Sequence, residues 1–338
     1  MANLYKRGEV WWARFKLNGH EYRRSLRTPV RAEAERRLKS WRREIERESY
    51  GEKTAKTWND AMIQWSLRGC DVSPRTRERY ITSIKQCREW LDGKRISQID
   101  TSLLREMIGE RRKQGVTVAT IRRDLTAISS VLAFAMDEDW IEENPTLTVR
   151  HRRMKEKRDP IVLPDNASIE AVKAAAPPRF ADAIEWARRS GMRQGEIFGL
   201  QHSNLKRSAI EIIGKGNKLR VIPYTPELQA IADRQPPYIG SPFVFWHGEG
   251  QRWASPESRF GKIRRVAQRR AQQEGQDFRP FRFHDLRHLY AVEFLRDRRG
   301  SIYELQQLLG HSSIRTTEVY LAHLTPEQKQ AAMHGVAR

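Results

Sequence analysis

Residues 308–323 read "LLGHSSIRTTEVYLAH" and place a histidine, two serines and a tyrosine near the end of the chain. Ser312 and Ser313 have side chains that can accept hydrogen bonds at a helix N-terminus, so we predict a helix that runs from them through Tyr320. A tyrosine in such a helix is usually a packing residue. Its position nine residues after His311, in a very basic chain, favours a second interpretation that depends on the residues farther upstream.

Composition indicates a soluble globular protein of more than one domain. The chain has 338 residues, of which 38% are hydrophobic and 31% charged, and this length favours two or three domains over a single core. No run approaches the ~18 apolar residues that a membrane span needs. The N-terminus, "MANLYKRGEVWWARF", has no apolar segment of the signal-peptide type, so we expect neither secretion nor membrane insertion.

The charge balance points to a polyanionic partner. Lys and Arg number 63 against 42 Asp and Glu, which gives a net charge of +21. A solubilising surface rarely carries so large a surplus, so nucleic acid is the favoured partner. Because the basic residues are spread along the whole chain, we expect several DNA-facing modules rather than one basic tail.

The cysteine content indicates a reducing compartment. Cys70 and Cys87 are the two cysteines of the chain, and two in this length make neither a disulfide framework nor a zinc ligand set. We therefore expect a cytoplasmic protein.

The first fifty residues predict a small sheet packed on one helix. Residues 10–26, "VWWARFKLNGHEYRRSL", alternate apolar and polar side chains, and Asn18-Gly19 is a hairpin turn signal. Residues 31–49 then repeat apolar side chains at helical spacing. The arginine-rich outer face suits a DNA groove, although a solvated face is an equally good interpretation.

Residues 55–148 predict a bundle of four or five helices with basic outer faces. The last and longest of them carries one apolar stripe, formed by Ile121, Leu125, Ile128, Leu132 and Ala135. Ser73-Pro74 and Asn144-Pro145 mark helix boundaries. Polar and basic linkers, residues 51–57 and 150–160, separate this region from its neighbours.

Residues 161–338 mix helices with a β-hairpin, "SAIEIIGKGNKLRVIPY" at 208–224. Lys215 lies at the predicted tip of the hairpin between two glycines. The segment lacks the spacing of a phosphate-binding P-loop. An ordinary turn lysine is therefore one interpretation, and a mobile proton donor to a phosphate oxygen is the other.

Two further segments carry basic side chains next to helices. "SGMRQGEIFGL", 190–200, contains Arg193 and Glu196, and Gly191 indicates a close approach just before the helix. "FRFHDLRHLYAVEFL", 281–295, places His284 and Arg287 on one helix face. His284 and His288 have the spacing of a zinc pair, but no Glu follows His284 and no cysteine is near, so we do not predict a zinc site.

Taken together, these residue types suit phosphodiester cleavage without a metal ion. A phenol has a pKa near ~10, and ionising it at neutral pH costs about 4 kcal/mol, which neighbouring cations and a histidine lower. Paired arginines match the non-bridging oxygens of the transition state with forked donors. A hairpin lysine can protonate the leaving 5′-oxygen.

In order and spacing, the motifs resemble those of the tyrosine recombinase (phage integrase) family. "GMRQGEIFGL" resembles its first arginine box, "HDLRH" its His-x-x-Arg box, and "LLGHSSIRTTEVY" its terminal histidine and nucleophile box. "IIGKGNKLRVIPY" lies where the family keeps its catalytic-lysine hairpin. Four such boxes in order over residues 190–320 are highly specific.

The resemblance implies a role for each matching residue. Arg193 and Arg287 would clamp the scissile phosphate, and Tyr320 would attack it to give a 3′-phosphotyrosyl enzyme and a free 5′-hydroxyl. The other implied roles are general acid for Lys215, with Lys218 as the alternative, proton handling and phosphate hydrogen bonding for His284 and His311, and orientation of an arginine for Glu196. Neither a metal nor another cofactor is implied.

The resemblance also implies an architecture, mainly α with small β-sheets. Residues 1–50 would form an arm-site DNA-binding domain with a three-stranded sheet and one helix, 55–148 a helical core-site DNA-binding domain, and 161–338 the catalytic domain. The partners would be double-stranded DNA at core and arm attachment sites, three further copies in a homotetramer, a directionality factor and a DNA-bending protein. The host would be bacterial and the protein nucleoid-associated.

The activity implied is integration and excision of a phage or other mobile element through a Holliday junction. The tail after Tyr320 would pack on a neighbouring subunit, or else be a frayed end. A type IB-like topoisomerase, a DNA-binding regulator without catalysis and a metal-dependent nuclease are the alternatives.

Overall fold

The computed structural model describes residues 3–17, 19–49, 56–150, 154, 161–214 and 219–334. The chain divides into two compact units, residues 1–158 and 159–338. The described residues are mostly helical with three small antiparallel sheets, which confirms the predicted fold class. None of their helices is long and apolar enough to cross a membrane.

The first unit begins with a three-stranded antiparallel sheet. Its strands are β1 (Asn3–Arg7), β2 (Val10–Leu17) and β3 (His20–Ser25), with β2 in the centre, and helix α1 (Arg31–Ser49) follows. The inner face of β2 presents Ala13 and Phe15 to Trp41 of α1, and the rings of Phe15 and Trp41 are 4.8 Å apart. The predicted hairpin and helix are thus present, although Asn18 of the turn lies outside the described residues.

The outer face of this sheet is basic and aromatic. Trp12 points away from the core because side chains alternate along β2. The guanidinium carbons of Arg7 and Arg23 lie 5.5 and 5.6 Å from the Trp12 ring centre. Stacking on the indole holds these two cations above an otherwise open face.

The rest of the first unit is helical. Its helices are α2 (Trp58–Gln64), α3 (Pro74–Gln86), α4 (Arg88–Leu91), α5 (Thr101–Lys113), α6 (Val118–Asp137) and α7 (Pro145–Arg150). Helix α6 is central, and all five residues of its predicted apolar stripe are completely buried. Residues 56–150 hold six helices rather than four or five, since the sequence pattern does not resolve the single-turn α4 and the short α7.

Both predicted helix boundaries in this region are confirmed. The Ser73 side chain accepts a hydrogen bond from Thr76 N, and Pro74 is the first residue of α3. The Asn144 side chain accepts from Thr146 N at 3.1 Å as α7 begins.

Between α5 and α6, the buried side chains of Arg111 and Asp124 form an ion pair at 2.8 Å.

The second unit, residues 159–338, begins with helices and a hairpin. In chain order these elements are α8 (Asn166–Ala174), α9 (Pro178–Ser190), α10 (Gln194–Ile197), β4 (Ala209–Ile213), β5 (Leu219–Pro223) and α11 (Pro226–Asp233). Then follow β6 (Trp246–His247), β7 (Gln251–Arg252), α12 (Pro256–Gln273), α13 (Asp285–Arg296), α14 (Ile302–Leu309), α15 (Arg315–Glu318) and α16 (Pro326–His334). Strands β4 and β5 pair as the predicted hairpin.

Helix α13 lies between two apolar clusters. On one side, Leu286 and Leu289 join a cluster rich in aromatic rings that includes Phe180 and Phe283. On the other side, the C-terminal half of α13 packs against α14 and the end of the chain. A helix buried on several sides holds its side chains in fixed positions, so whatever α13 carries is rigidly placed.

The segment that bears Tyr320 differs from the predicted helix. Helix α15 ends at Glu318, and a 3-10 turn, Val319–His323, carries Tyr320. The helix is capped at Ile314 rather than by the two serines. Thr317 in the last turn of α15 and Tyr320 in the 3-10 turn both face inward, with 0% and 2% of their surface exposed.

The end of the chain packs on its own unit. Helix α16 contacts α13 and α14, and Ala332 is 2% exposed in the same apolar cluster as Tyr320 and Leu324. The alternative of a frayed end is therefore wrong for residues 326–334. The predicted contact of the tail with a neighbouring subunit stays a prediction.

Candidate active site

Arg193 is placed by a tight backbone passage between two helices. Gly191 ends α9 with φ +62°, and a Cβ there would lie 2.4 Å from the Tyr290 ring. This confirms the close approach predicted from the sequence, because only glycine adopts this conformation without such a clash. Two residues later Arg193 begins α10, and its Nη2 donates to the carbonyl of Gly310 at 3.1 Å.

Glu196 joins two arginines. Its carboxylate accepts from Arg193 N and Nη1 at 2.7 and 3.0 Å, and from Arg220 Nη2 at 2.6 Å. Burial by itself raises the pKa of Glu196, but the Arg220 charge and the Arg193 hydrogen bonds outweigh it, so the pKa lies below its ordinary value. Glu196 is therefore ionised at neutral pH and orients Arg193.

Arg287 is the most enclosed cation of the site. It is 2% exposed, and it donates to the carbonyls of Gly191 at 2.7 Å and Leu309 at 2.6 Å. Burial, and then the charges of Arg193 and Arg220, lower its pKa to about 10. It thus keeps its charge at neutral pH within a fixed frame of backbone oxygens.

His311 is neutral and its tautomer follows from its partners. Its Nε2 lies 3.1 Å from Arg287 Nη2, and a guanidinium can only donate, so Nε2 accepts. Nδ1 then carries the proton and donates to Thr317 Oγ1 at 2.9 Å. Burial, and then the charges of Arg287 and Arg193, lower the pKa of His311 to about 4.

Tyr320 lies at the edge of this network. Its ring stacks beside that of His311, with centres 6.5 Å apart, and its hydroxyl is 3.0 Å from Nδ1 of His288. Burial raises the pKa of Tyr320, although Arg287 and Arg193 oppose that effect. His284 is exposed, and its ring is perpendicular to that of His288 with centres 4.8 Å apart.

The structure thus brings together most of the residues that the sequence singled out. Arg193, Glu196, Arg287 and His311 form one hydrogen-bonded network, and Tyr320 and His284 adjoin it through ring contacts. Lys215 and Lys218 lie outside the described residues. Among those that are described, no three His, Cys, Asp or Glu side chains form a group that could hold a metal ion.

Sequence reasoning missed two residues of the site. Arg220 is 8% exposed and donates to Glu196 and to the Leu309 carbonyl. The sequence did carry a signal for Arg220, because it lies two residues before Ile222 and so on the same, buried face of β5. His288 was considered only as a partner of His284 in a zinc pair, and nothing in the sequence indicated its contact with Tyr320.

An open groove of about 1130 Å³ runs past the arginines. Its lining includes the side chains of Arg193, Arg220, Arg299 and His311. Gly214 and Leu219, the described residues on either side of the hairpin tip, also line it. A groove with this many cations attracts a polyanion such as a DNA strand.

Two family models match the chain. A family model described as "Phage integrase family" matches residues 165–327, which include the whole network. A second, described as "Phage integrase, N-terminal SAM-like domain", matches residues 67–139 of the helical region.

Individual relatives cover most of the chain. Tyrosine recombinase XerD of Pseudomonas aeruginosa is 27% identical over 276 residues, which is 76% of this chain and 88% of that protein. The lambda integrase tetramer bound to a Holliday junction superimposes with a TM-score of 0.64 at 19% identity, over 92% of this chain and 96% of the other. The Tn1549 transposon integrase in complex with circular intermediate DNA gives a TM-score of 0.59 at 21% identity, over 82% and 98%.

The two family matches and the similar solved structures define the class, that of enzymes that cut and rejoin DNA strands. The chain belongs to the tyrosine recombinase (phage integrase) family, which consists of site-specific DNA recombinases.

Proposed function

We propose that this protein cuts and rejoins two DNA duplexes at specific sites through a covalent bond to Tyr320. The observation that carries the proposal is the convergence of Tyr320, His311 and Arg287 in one contact network. A phenol close to two arginines is the arrangement that attack on a phosphodiester needs, because phosphate oxygens gain charge in the transition state.

The two arginines would bind the scissile phosphate in different ways. Arg287 is held by three partners and supplies a fixed charge. Arg193 keeps 38% of its side chain exposed, and Glu196 fixes its direction, so its free donors can meet the phosphate from the groove. Forked N–H donors match paired phosphate oxygens better than an ammonium does.

The remaining proton transfers are assigned by position. His284 is exposed and can donate a hydrogen bond to a phosphate oxygen. Lys215, with Lys218 as the alternative, would protonate the 5′-oxygen as it leaves. In support, Gly214 and Leu219 bring both ends of that hairpin tip to the groove that Arg193 lines.

Because Tyr320 is 2% exposed, its hydroxyl must become accessible when DNA binds. We propose that a small shift of the 3-10 turn Val319–His323 exposes the hydroxyl to the phosphate while it stays beside α13. Attack would then leave the 3′-phosphate on Tyr320 and free a 5′-hydroxyl. Since the phosphotyrosyl bond conserves the free energy of the broken bond, a 5′-hydroxyl from a second duplex can rejoin the strand without ATP.

We further propose that four copies exchange strands through a Holliday junction and that the substrate is a phage genome or other mobile element. The fold is similar to that of lambda integrase, which has been solved as a tetramer on such a junction. A match over 92% of this chain must include part of the first fifty residues. This supports an arm-binding role for residues 1–50 and a core-binding role for 55–148. We propose a directionality factor and a DNA-bending protein as helpers.

A second candidate is recombination of the host's own chromosome. The observation that favours it is the sequence similarity to XerD, which covers 76% of this chain. Sequencing the DNA junctions formed in cells separates the two. New junctions between element and chromosome support integration, whereas rearrangement between two chromosomal sites supports the second candidate.

The chemistry is tested with a nicked suicide duplex that traps the covalent intermediate. We expect wild type to form a protein–DNA adduct stable to denaturant and Tyr320→Phe to form none, because phenylalanine lacks the attacking oxygen. Tyr303→Phe, which changes an exposed tyrosine of α14, is the matched control and should form the adduct at the wild-type rate. An adduct with Tyr320→Phe would disprove the nucleophile.

The same assay with EDTA, together with a supercoil-relaxation assay, separates the alternatives. A metal-dependent nuclease would lose cleavage in EDTA, whereas a recombinase of this type would keep it. A type IB-like topoisomerase would relax supercoils without joining a partner site, and a DNA-binding regulator would form no adduct.

A further inference from the structure

We propose that His288 is the general base that takes the phenolic proton of Tyr320 when the tyrosine attacks. The inference rests on the proposed function, and it gives the proton a defined acceptor. In the alternative expected from the sequence, His284 and His311 share this task.

His288 contacts the Tyr320 hydroxyl directly. Nδ1 of His288 lies 3.0 Å from the Tyr320 hydroxyl, which is within the range of a hydrogen bond from an O–H donor. The two rings are 5.6 Å apart and inclined at 53°, so the imidazole nitrogen meets the hydroxyl rather than the ring face. A general base needs this reach before any other property matters.

His311 is already committed. Its Nε2 accepts from Arg287, and its Nδ1 therefore holds a proton and faces Thr317. Neither nitrogen is left to take a proton from Tyr320 unless the bond to Arg287 breaks. His284 contacts His288 ring to ring and is exposed, so it is free to bind a phosphate oxygen.

His288 is held in a fixed position by the packing of α13. His288 directly follows Arg287 on α13, between the two apolar clusters. One helix therefore carries both a phosphate-binding arginine and the proposed base. Their separation is set by the helix and does not depend on loop closure, which keeps the proton acceptor and the phosphate clamp in register.

The proton balance closes over the reaction cycle. In cleavage the O–H bond of Tyr320 breaks, its proton moves to Nδ1 of His288, the phenolic oxygen bonds to phosphorus, and the bond from phosphorus to the 5′-oxygen breaks. The leaving oxygen is protonated separately by the hairpin lysine. In rejoining each proton returns, so His288 ends neutral and Tyr320 ends as a phenol.

The charges around His288 change when DNA binds. Burial, then His284, Arg282 and Arg287, lower the pKa of His288 to about 4, while Asp285 opposes them. His288 is thus neutral in the free protein and able to accept. A bound phosphate adds negative charge beside Arg287, which raises the pKa of His288 and strengthens it as a base at the moment of attack.

The test is single-turnover cleavage of the nicked suicide duplex by His288→Gln. Glutamine keeps a hydrogen-bond acceptor but cannot take a proton, so we expect cleavage about 10²- to 10⁴-fold slower than wild type. The matched control is His323→Gln, on the turn that carries Tyr320, which should cleave as wild type does. His288→Asn is a second variant if the first unfolds, and thermal melts check both.

Two readouts separate a base from a structural residue. The wild-type cleavage rate should fall as acid protonates His288 and His311, whose pKa values are both lowered to about 4, and His288→Gln should lose the part of this limb that belongs to His288. A substrate with sulfur at the 5′-bridging position, whose leaving group needs no protonation, should rescue Lys215→Ala but not His288→Gln. Wild-type cleavage by His288→Gln, an unchanged acid limb, or rescue by sulfur would each overturn the proposal.

Failure of the underlying chemistry looks different. If wild type forms no adduct, the proposed recombinase reaction itself is wrong. If wild type forms the adduct and His288→Gln forms it as fast, only the base is misassigned.

Discussion

At the scale of single residues, the site is a network of cations stabilised by two acceptors. Glu196 accepts from Arg193 and Arg220, and the Leu309 carbonyl accepts from Arg220 and Arg287. Gly310 follows in a left-handed conformation, and a Cβ there would lie 3.0 Å from the Arg220 side chain. Arg220 therefore links Arg193 and Arg287, the two arginines that we propose bind the phosphate, and we propose that it acts as a positioning residue.

Removal of the Arg220 side chain should lower the stability of the folded protein. We expect Arg220→Met, which keeps much of the volume, to lower the free energy of unfolding by about 3 kcal/mol, because it breaks a buried ion pair. Denaturant titration measures the loss. Arg234→Met is the control, since its pair with Asp182 is 55% exposed on the arginine side and should be worth about 1 kcal/mol or less. Equal losses would contradict the positioning role.

The same pair predicts a pH dependence. The pKa of Glu196 is lowered in the folded protein, so its ionisation stabilises the fold above the unfolded pKa of about 4.3, and that stabilisation is lost as pH falls through the folded pKa. In Arg220→Met the folded pKa should rise. The stability difference between wild type and Arg220→Met should therefore shrink below about pH 4.3. A constant difference down to lower pH would show that Glu196 is not the partner that matters.

At the scale of elements, α13 and α16 determine where the nucleophile lies. Helix α13 supplies Arg287 and His288 from a position between two apolar clusters. Helix α16 closes the cluster that contains Tyr320, with Ala332 at 2% exposure. The turn that carries Tyr320 therefore packs against α13 on one side and against the end of the chain on the other.

A charge on the buried face of α16 should release it. We expect Ala332→Glu to detach the helix, because an unpaired carboxylate in an apolar cluster is strongly unfavourable. Limited proteolysis should then cleave residues 321–334 faster than in wild type. Met333→Glu, at a side chain that is 46% exposed, should leave the cleavage rate unchanged. Equal protection in both variants would mean that α16 does not hold the turn.

At the scale of the whole molecule, the chain carries a net charge of +21 on 338 residues. We therefore expect its affinity for DNA to depend mainly on electrostatic attraction. The cations are divided between the N-terminal sheet, the helical bundle and the groove of the second unit. Each unit presents its own basic surface. The presence of several DNA-facing modules rather than one basic tail stays a prediction.

Salt dependence can assign DNA sites to these surfaces. Arg23, stacked on Trp12, is exposed on the outer face of the N-terminal sheet. We expect Arg23→Gln to reduce the slope of log K against log salt by about 0.9 for arm-site DNA and to leave core-site DNA unchanged. Titrations of both duplexes from low to moderate salt measure it. A change on core-site DNA alone would assign the sheet to the other site.

The sequence determined the features that depend on neighbouring residues and on chemical type. Apolar periodicity predicted the hairpins and α6, capping residues and prolines predicted helix boundaries, and four motifs in order predicted the family. These signals are local, so they survive without knowledge of the fold. Arg193, Glu196, Arg287 and His311 were recognised because phosphate chemistry restricts which side chains can serve it.

Only the tertiary structure decided which of these groups touch. His288 meets Tyr320 across 32 positions of sequence, and Arg220 reaches the Leu309 carbonyl across 89, and no local pattern encodes such distances. The 3-10 turn at Tyr320 and the packing of α16 on its own unit were likewise missed, because both depend on the burial of Tyr320 and Ala332 in one apolar cluster. Local propensity determines which secondary structure a segment forms, but tertiary packing determines which distant side chains come into contact.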